Sequence, residues 1–118
     1  MAIYAHEVLS SSKFIPESQA DQEDPATFTI KPMLSSEYMD VISEANLDSA
    51  TGDMSISGKG LRLALKHGLK GWENVFKADG KPLKFSRVNF DKLPAGVMME
   101  VASQIIEISD TTEADAKN

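Results

Sequence analysis

The chain has 118 residues, enough for one domain with one core and too few for two. It is 42% hydrophobic and 25% charged, which is ordinary for a globular protein. Having no cysteine, it forms no disulfide, thiolate metal site or cysteine nucleophile. No apolar run approaches the roughly 20 residues that span a bilayer. The start, Met1-Ala2-Ile3-Tyr4-Ala5-His6-Glu7, lacks the basic region and apolar stretch of a signal peptide, so the expectation is a protein that stays where it is made. The net charge of −6 is unevenly placed: −8 over residues 1–58, +6 over 59–92 and −4 over 93–118. The plain reading is solvated surface charge, since exposed pairs contribute little. The sharper one is electrostatic steering of a protein partner or of a second copy.

In chain order, residues 1–13 are weakly patterned and read as a loose end. Phe14-Ile15-Pro16 reads as a short edge strand, because proline cannot donate to a ladder. An acidic loop over 18–25 follows, and then alternating, β-branched Thr27-Phe28-Thr29-Ile30-Lys31, a strand. The two strands make a hairpin that needs helices to support it.

A first helix is predicted with Ser35 or Ser36 as its cap, Glu37 near its N-terminal dipole, and Tyr38, Val41, Ile42 and Ala45 on one face. Residues 46–52 read as exit and loop. A second helix runs from Ile56 or Ser57 to His67, with Leu61, Ala64, Leu65, Gly68 and Leu69 inward. Lys66, His67 and Lys70 suit its C-terminal end, and Gly68 suits a terminating cap.

Trp72 to Val75 is read as extended and Ala78-Asp79-Gly80-Lys81 as a turn. The only tryptophan stands at a helix exit, where a large aromatic fixes how the next segment leaves; Trp72 is therefore the expected structural anchor, buried against the second and last helices near Leu65, Leu69 or Val101. Ser86 opens a helical turn through Phe90, and Pro94 suits the first turn of the last helix. Val97, Met98, Val101, Ala102, Ile105 and Ile108 form its core stripe, while Met99 and Ile106 lie off it. From Asp110 the sequence is polar and is expected to fray. The expected fold is therefore mainly α with a small N-terminal β-hairpin, an α+β domain of three principal helices around one core. It spans 1–118, with flexible ends at 1–13 and 110–118.

Local motifs for catalysis are weak. Gly52 to Lys59 resembles a phosphate loop, but five residues separate Gly52 from Gly58 and Gly60 stands where a hydroxyl should bind magnesium. Around Asp79-Gly80, Val75 and Lys77 occupy positions where calcium needs oxygen ligands. His6 and His67 fit no metal spacing, and no carboxylate pair stands out for acid–base work. The expectation is a non-enzyme with no cofactor and no metal. Nine bases from Lys59 to Lys92, interleaved with Trp72, Phe76 and Phe85, suggest a nucleic-acid surface. The acidic net charge argues against it.

From Leu61 onward the chain resembles the tail assembly chaperones of long-tailed phages. The resemblance rests on the helix ending at Gly68-Leu69, on Gly71-Trp72-Glu73-Asn74-Val75, on Asp79-Gly80-Lys81-Pro82, on Phe85-Ser86, Asn89 and Leu93-Pro94, and on Ile105-Ile106-Glu107-Ile108-Ser109 with Thr112-Glu113. Upstream, Ala26 to Pro32 resembles the strand before the first helix. The coverage is about residues 26–118 and strongest over 61–110; residues 1–25 match nothing in the family.

The resemblance implies a chaperone that binds the tape measure protein in the host cytoplasm, keeps it soluble until the tube polymerises, and is absent from the mature virion. It also implies a longer form, made by ribosomal slippage near the end of the gene, that recruits the major tail tube protein. Ala116-Lys117-Asn118 is compatible with a slippery run of adenines. The partner surface is expected at Leu63, Met99 and Ile106, off the core stripes of their helices, for tape measure binding or self-association. The competing class is another small phage or bacterial interaction protein: a tail adaptor, an inhibitor or a nucleic-acid-binding regulator.

Overall fold

A computed structural model describes residues 10–47 and 54–116. Its first layer is an antiparallel sheet of β1 (Ser12–Phe14), β2 (Thr27–Ile30) and β3 (Leu69–Glu73), with β2 in the middle. Three helices complete the core: α1 (Ser35–Ile42), α2 (Gly58–Gly68) and α3 (Ala95–Ala116). The expected α+β class and its N-terminal strand pair are present, but the details differ.

The hairpin pairs Ser12 with Ile30 and Phe14 with Phe28, so its first strand lies at 12–14 rather than at 14–16. Pro16 is instead buried beyond the strand, where its missing N–H is not needed by a ladder. The support for the hairpin is a third strand, which was expected only as an extended piece from Trp72. Thr27 pairs with Glu73, Phe28 with Trp72 and Thr29 with Gly71, but Ile30 pairs with Leu69. Lys70 is the extra residue of this bulge. The bulge lets Leu69 and Trp72, three residues apart, share the face that carries buried Phe28 and Ile30. The opposite face is polar, with Lys13 Nζ bonded to Thr29 Oγ1 at 2.8 Å and to Glu73 Oε1 at 3.0 Å.

A second pair, Ala45–Leu47 with Met54–Ile56, replaces part of the anticipated loop, and also takes Ala45 from the expected first helix and Ile56 from the expected start of the second. Alternation over three-residue segments is too short to announce a strand. Residues 48–53, which include Gly52 and Asp53, lie outside the described residues, as do the N-terminal segment with His6 and the final Lys117-Asn118.

Helix α1 starts one residue earlier than a serine cap would place it. Leu34 holds the N-cap position, and Glu37 Oε1 accepts its backbone N–H at 2.9 Å. Helix α2 begins at Gly58, a residue or two after the expected start at Ile56 or Ser57, and Ser57 caps it: its hydroxyl accepts from Gly60 N at 3.2 Å. Its end corrects a second expectation. Gly68 is the last helical residue, and Leu69 turns extended directly after it, with φ −88° and ψ 119°. No left-handed cap is used. A Cβ at Gly68 would collide with the Ile105 side chain and press on the Lys31 carbonyl. That glycine therefore serves close approach of α3 and β2, and Lys31 N donates to Gly68 O at 2.8 Å.

The core holds Phe28, Ile30, Met33, Val41, Ala64, Leu65, Leu69, Met98, Val101, Ala102 and Ile105. Each of its large side chains stabilises by about 1.5–3 kcal/mol relative to exposure. Helix α3 runs past Ser109, where fraying was anticipated, to Ala116. Ser109 Oγ accepts from Met33 N at 2.9 Å and donates to Ile105 O at 2.6 Å, and Asp110 bonds the Tyr38 hydroxyl. Polar side chains thus hold this part of α3 to α1 and to the segment before it. Among the described residues no helix is long and apolar enough to cross a membrane.

Candidate functional site

The chain after β3 is shaped by one aromatic cluster. Asn74 takes φ 60°, and its side chain donates to Pro25 O at 3.1 Å. Val75 and Leu83 are then joined across the expected turn, which Gly80 closes with φ 85° and Asp79 supports by accepting Lys81 N at 3.0 Å. Trp72 is half-buried against the core. Its ring meets Phe85 edge-on at 4.9 Å, Phe90 at 5.8 Å and Phe28 at 6.3 Å, and its Nε1 donates to Leu83 O at 2.8 Å. Trp72 thus joins the sheet to the turn and to the 3₁₀ segment Arg87–Lys92.

That 3₁₀ segment is one border of a groove of about 690 Å³. Helix α2 lines it with Leu61, Arg62, Leu65 and Lys66, and the start of α3 with Ala95, Met98 and Met99. The 3₁₀ segment and its exit add Arg87, Phe90, Asp91 and Leu93, and Ile56 and Gly58 also line it. The lining is therefore mostly apolar, with cations beside it. Leu65 and Met98 are buried, and Leu61, Phe90 and Leu93 half-buried, whereas Met99 is 55% exposed. Arg62, Lys66 and Arg87 are exposed, and none forms an ion pair within 4.0 Å of another described residue.

Of the three residues expected at a partner surface, only Met99 lines this groove. Leu63 and Ile106 are half-buried and packed against the core, and they are not part of its lining. The groove residues that sequence reasoning missed as a site were read as core (Leu61, Leu65, Met98) or as solvated charge (Arg62, Lys66, Arg87). A signal did exist: Leu61-Arg62 and Leu65-Lys66 repeat an apolar–cation pair at a spacing of four, which sets a cationic row beside an apolar row on α2.

The remaining candidates fall elsewhere. His67 Nδ1 lies 3.1 Å from Glu37 Oε2, which ties the end of α2 to α1. Among the described residues no three histidine, aspartate or glutamate side chains are gathered as a metal site would need. Of the aromatics that suggested base stacking, Trp72 and Phe85 are committed to each other, and Phe76 alone is exposed, at 57%. Lys59, from the same basic stretch, pairs with Glu44 at 3.5 Å. Tyr38 has its pKa raised, first by burial and then by the charge and hydrogen bond of Asp110. In a comparison with known proteins, no family model matches the chain, and no curated protein or solved structure is significantly similar to it.

Proposed function

We propose that the chain is a helix-binding assembly chaperone of the phage tail type, whose partner is the tape measure protein. The observation that supports this is the open groove between α2, the start of α3 and the 3₁₀ segment, with its apolar lining and cationic edge. A long helix with an uncovered apolar stripe aggregates unless the stripe is shielded. A trough lined by leucine, phenylalanine and methionine shields it in the helix-in-groove mode, and methionine adapts to irregular partners. Many copies along one tape measure would multiply weak contacts into avidity.

In this reading Met99 contacts the partner directly. Leu63 and Ile106 contribute by holding α2 and α3 in place. Trp72 acts from a distance, by bracing Phe90. The work is done without chemistry on the partner, in the host cytoplasm, and before the virion is finished. A longer form made by slippage at Ala116-Lys117-Asn118 would carry the tail tube contact, and the nucleotide sequence of that stretch tests it separately.

The test is co-expression with the tape measure protein of the genome that carries this chain. The expected outcome is a tape measure protein that moves to the soluble fraction and copurifies with the chaperone. A tape measure protein that stays insoluble, with nothing retained, would overturn the reading.

A further inference from the structure

Resting on the helix-binding reading above, we infer that the groove selects an acidic amphipathic helix, engaging about two of its turns, and discriminates against basic helices with the same apolar stripe. The length follows from the walls. Gly58 to Lys66 on α2 spans about 12 Å at 1.5 Å per residue, roughly two helical turns. An occupant of that reach offers apolar side chains at i, i+3 or i+4, and i+7.

The charge preference follows from the edge. Arg62 and Lys66 stand four apart on α2, and Arg87 adds a third cation from a different element. Among the described residues, Asp91 is the only carboxylate in the lining. The three cations are not spent on ion pairs with other described residues. Carboxylates beside the occupant's apolar stripe would pair with them next to an apolar surface, where the effective dielectric is lower and such pairs count for more than in open water. Lysines in the same places would meet like charge.

A second copy of this chain is a poorer occupant. Its acidic stretch at 18–24 carries no apolar stripe, and the isoleucines of α3 are turned to the core or packed against it. A small anionic amphiphile is also poorly served, because sites for small ligands enclose most of the ligand, whereas Met99 leaves this edge open.

The experiment titrates the full chain with two synthetic helical peptides of identical leucine spacing, one flanked by glutamates and one by lysines. Calorimetry and the fluorescence of Trp72, whose ring contacts Phe90 of the lining, both report binding. The glutamate peptide is expected to bind at least about ten-fold tighter at low salt, with the gap closing as salt rises. The double variant Arg62→Glu/Lys66→Glu, altered only at exposed positions, should keep its melting temperature and reverse the preference.

Equal binding of the two peptides, a preference that survives the charge reversal, or saturation by dodecanoate with neither peptide bound would each overturn the inference. Failure here and failure of the function are separable. If the double variant solubilises the tape measure protein as well as the parent does, the function stands and the charge selection falls. If the glutamate peptide binds selectively but the tape measure protein stays insoluble, the selection stands and the partner is another acidic helix.

Discussion

The two flanks of α2 are built to opposite standards. On one flank, Gly60 and Gly68 let backbone and side chains approach so closely that a Cβ would strike Ile56 at 2.6 Å at the first, and Ile105 at the second. Between them Ala64 is fully buried. On the other flank, Leu61, Arg62 and Lys66 border a groove of about 690 Å³. A helix of eleven residues thus has one side filled to the limit of what glycine allows and one side left open. Cores of this size normally fill such space, because unfilled apolar surface forfeits both burial and dispersion contacts. The contrast teaches that the same helix is packed tightly where α1, β2 and α3 converge on it and leaves apolar surface open where the 3₁₀ segment faces it.

The largest test of this contrast is Trp72, which connects the two regions through Phe28 and Phe90. Trp72→Ala is expected to cost about 3 kcal/mol, the lower end of the range for large aromatics because the ring is half-buried. Denaturant unfolding followed by circular dichroism measures it. A loss below 1 kcal/mol, on the same order-of-magnitude scale as an ordinary surface change, would mean that the cluster does not hold the groove wall.

A paired glycine experiment then asks about the two sides directly. Gly68→Ala should destabilise by about 1–3 kcal/mol, because neither Ile105 nor the Lys31 carbonyl can yield without disturbing α3 or β2. Gly58→Ala meets only the Arg62 guanidinium, at 3.5 Å, and should stabilise by roughly 0.5 kcal/mol through lower unfolded-state entropy. Thermal melts of the two variants decide the matter; shifts of the same sign would break the contrast.

Met99→Asp sharpens it from the open side. With a side chain 55% exposed, the substitution should leave stability within about 0.5 kcal/mol. It should nonetheless weaken solubilisation of the tape measure protein, read as the soluble fraction on co-expression. Unchanged solubilisation would remove Met99 from the partner surface.

The smallest effect is at high pH. Burial and Asp110 raise the Tyr38 pKa, so the folded state favours the neutral phenol. The contribution is complete below the ordinary phenol value of about 10 and is lost as pH rises through the raised folded value. Tyrosinate absorbance in a Tyr4→Phe background, where Tyr38 is the only tyrosine left, should titrate late in the folded protein and at the ordinary value in denaturant. An unshifted folded titration would refute both the burial of Tyr38 and its contact with Asp110.

Long periodic segments were legible before any coordinates. The inward face of α2 and the stripe of α3 follow from spacing alone, since Ala64, Leu65, Val101, Ala102 and Ile105 repeat at helical intervals and are buried. The turn at Asp79-Gly80 was equally plain, because Gly80 supplies the positive φ. Short strands were only partly so: alternation announced Thr27–Ile30, but not the others in full. β3 begins within what read as the tail of a helix, and its bulge at Lys70 breaks the alternation that would have announced it. The groove was half legible: Met99 was picked out as off the core stripe, but Leu61 and Leu65 carry the same periodicity whether they face a full core or an open trough.

The sequence by itself determined where helices form, which faces are apolar, where Gly80 turns, and that cationic residues crowd the middle of the chain. These depend on residues within a few positions of one another, so local propensity and period suffice. Only the tertiary structure decided that Gly68 marks a close approach rather than a left-handed cap, and that Leu69 and Trp72 share a face across a bulge. It alone placed Arg87 and Phe90 beside Arg62 and Leu65. Those outcomes depend on which distant segments meet, and the physical reason is that packing is decided by shape and volume between elements, which no single stretch of sequence encodes.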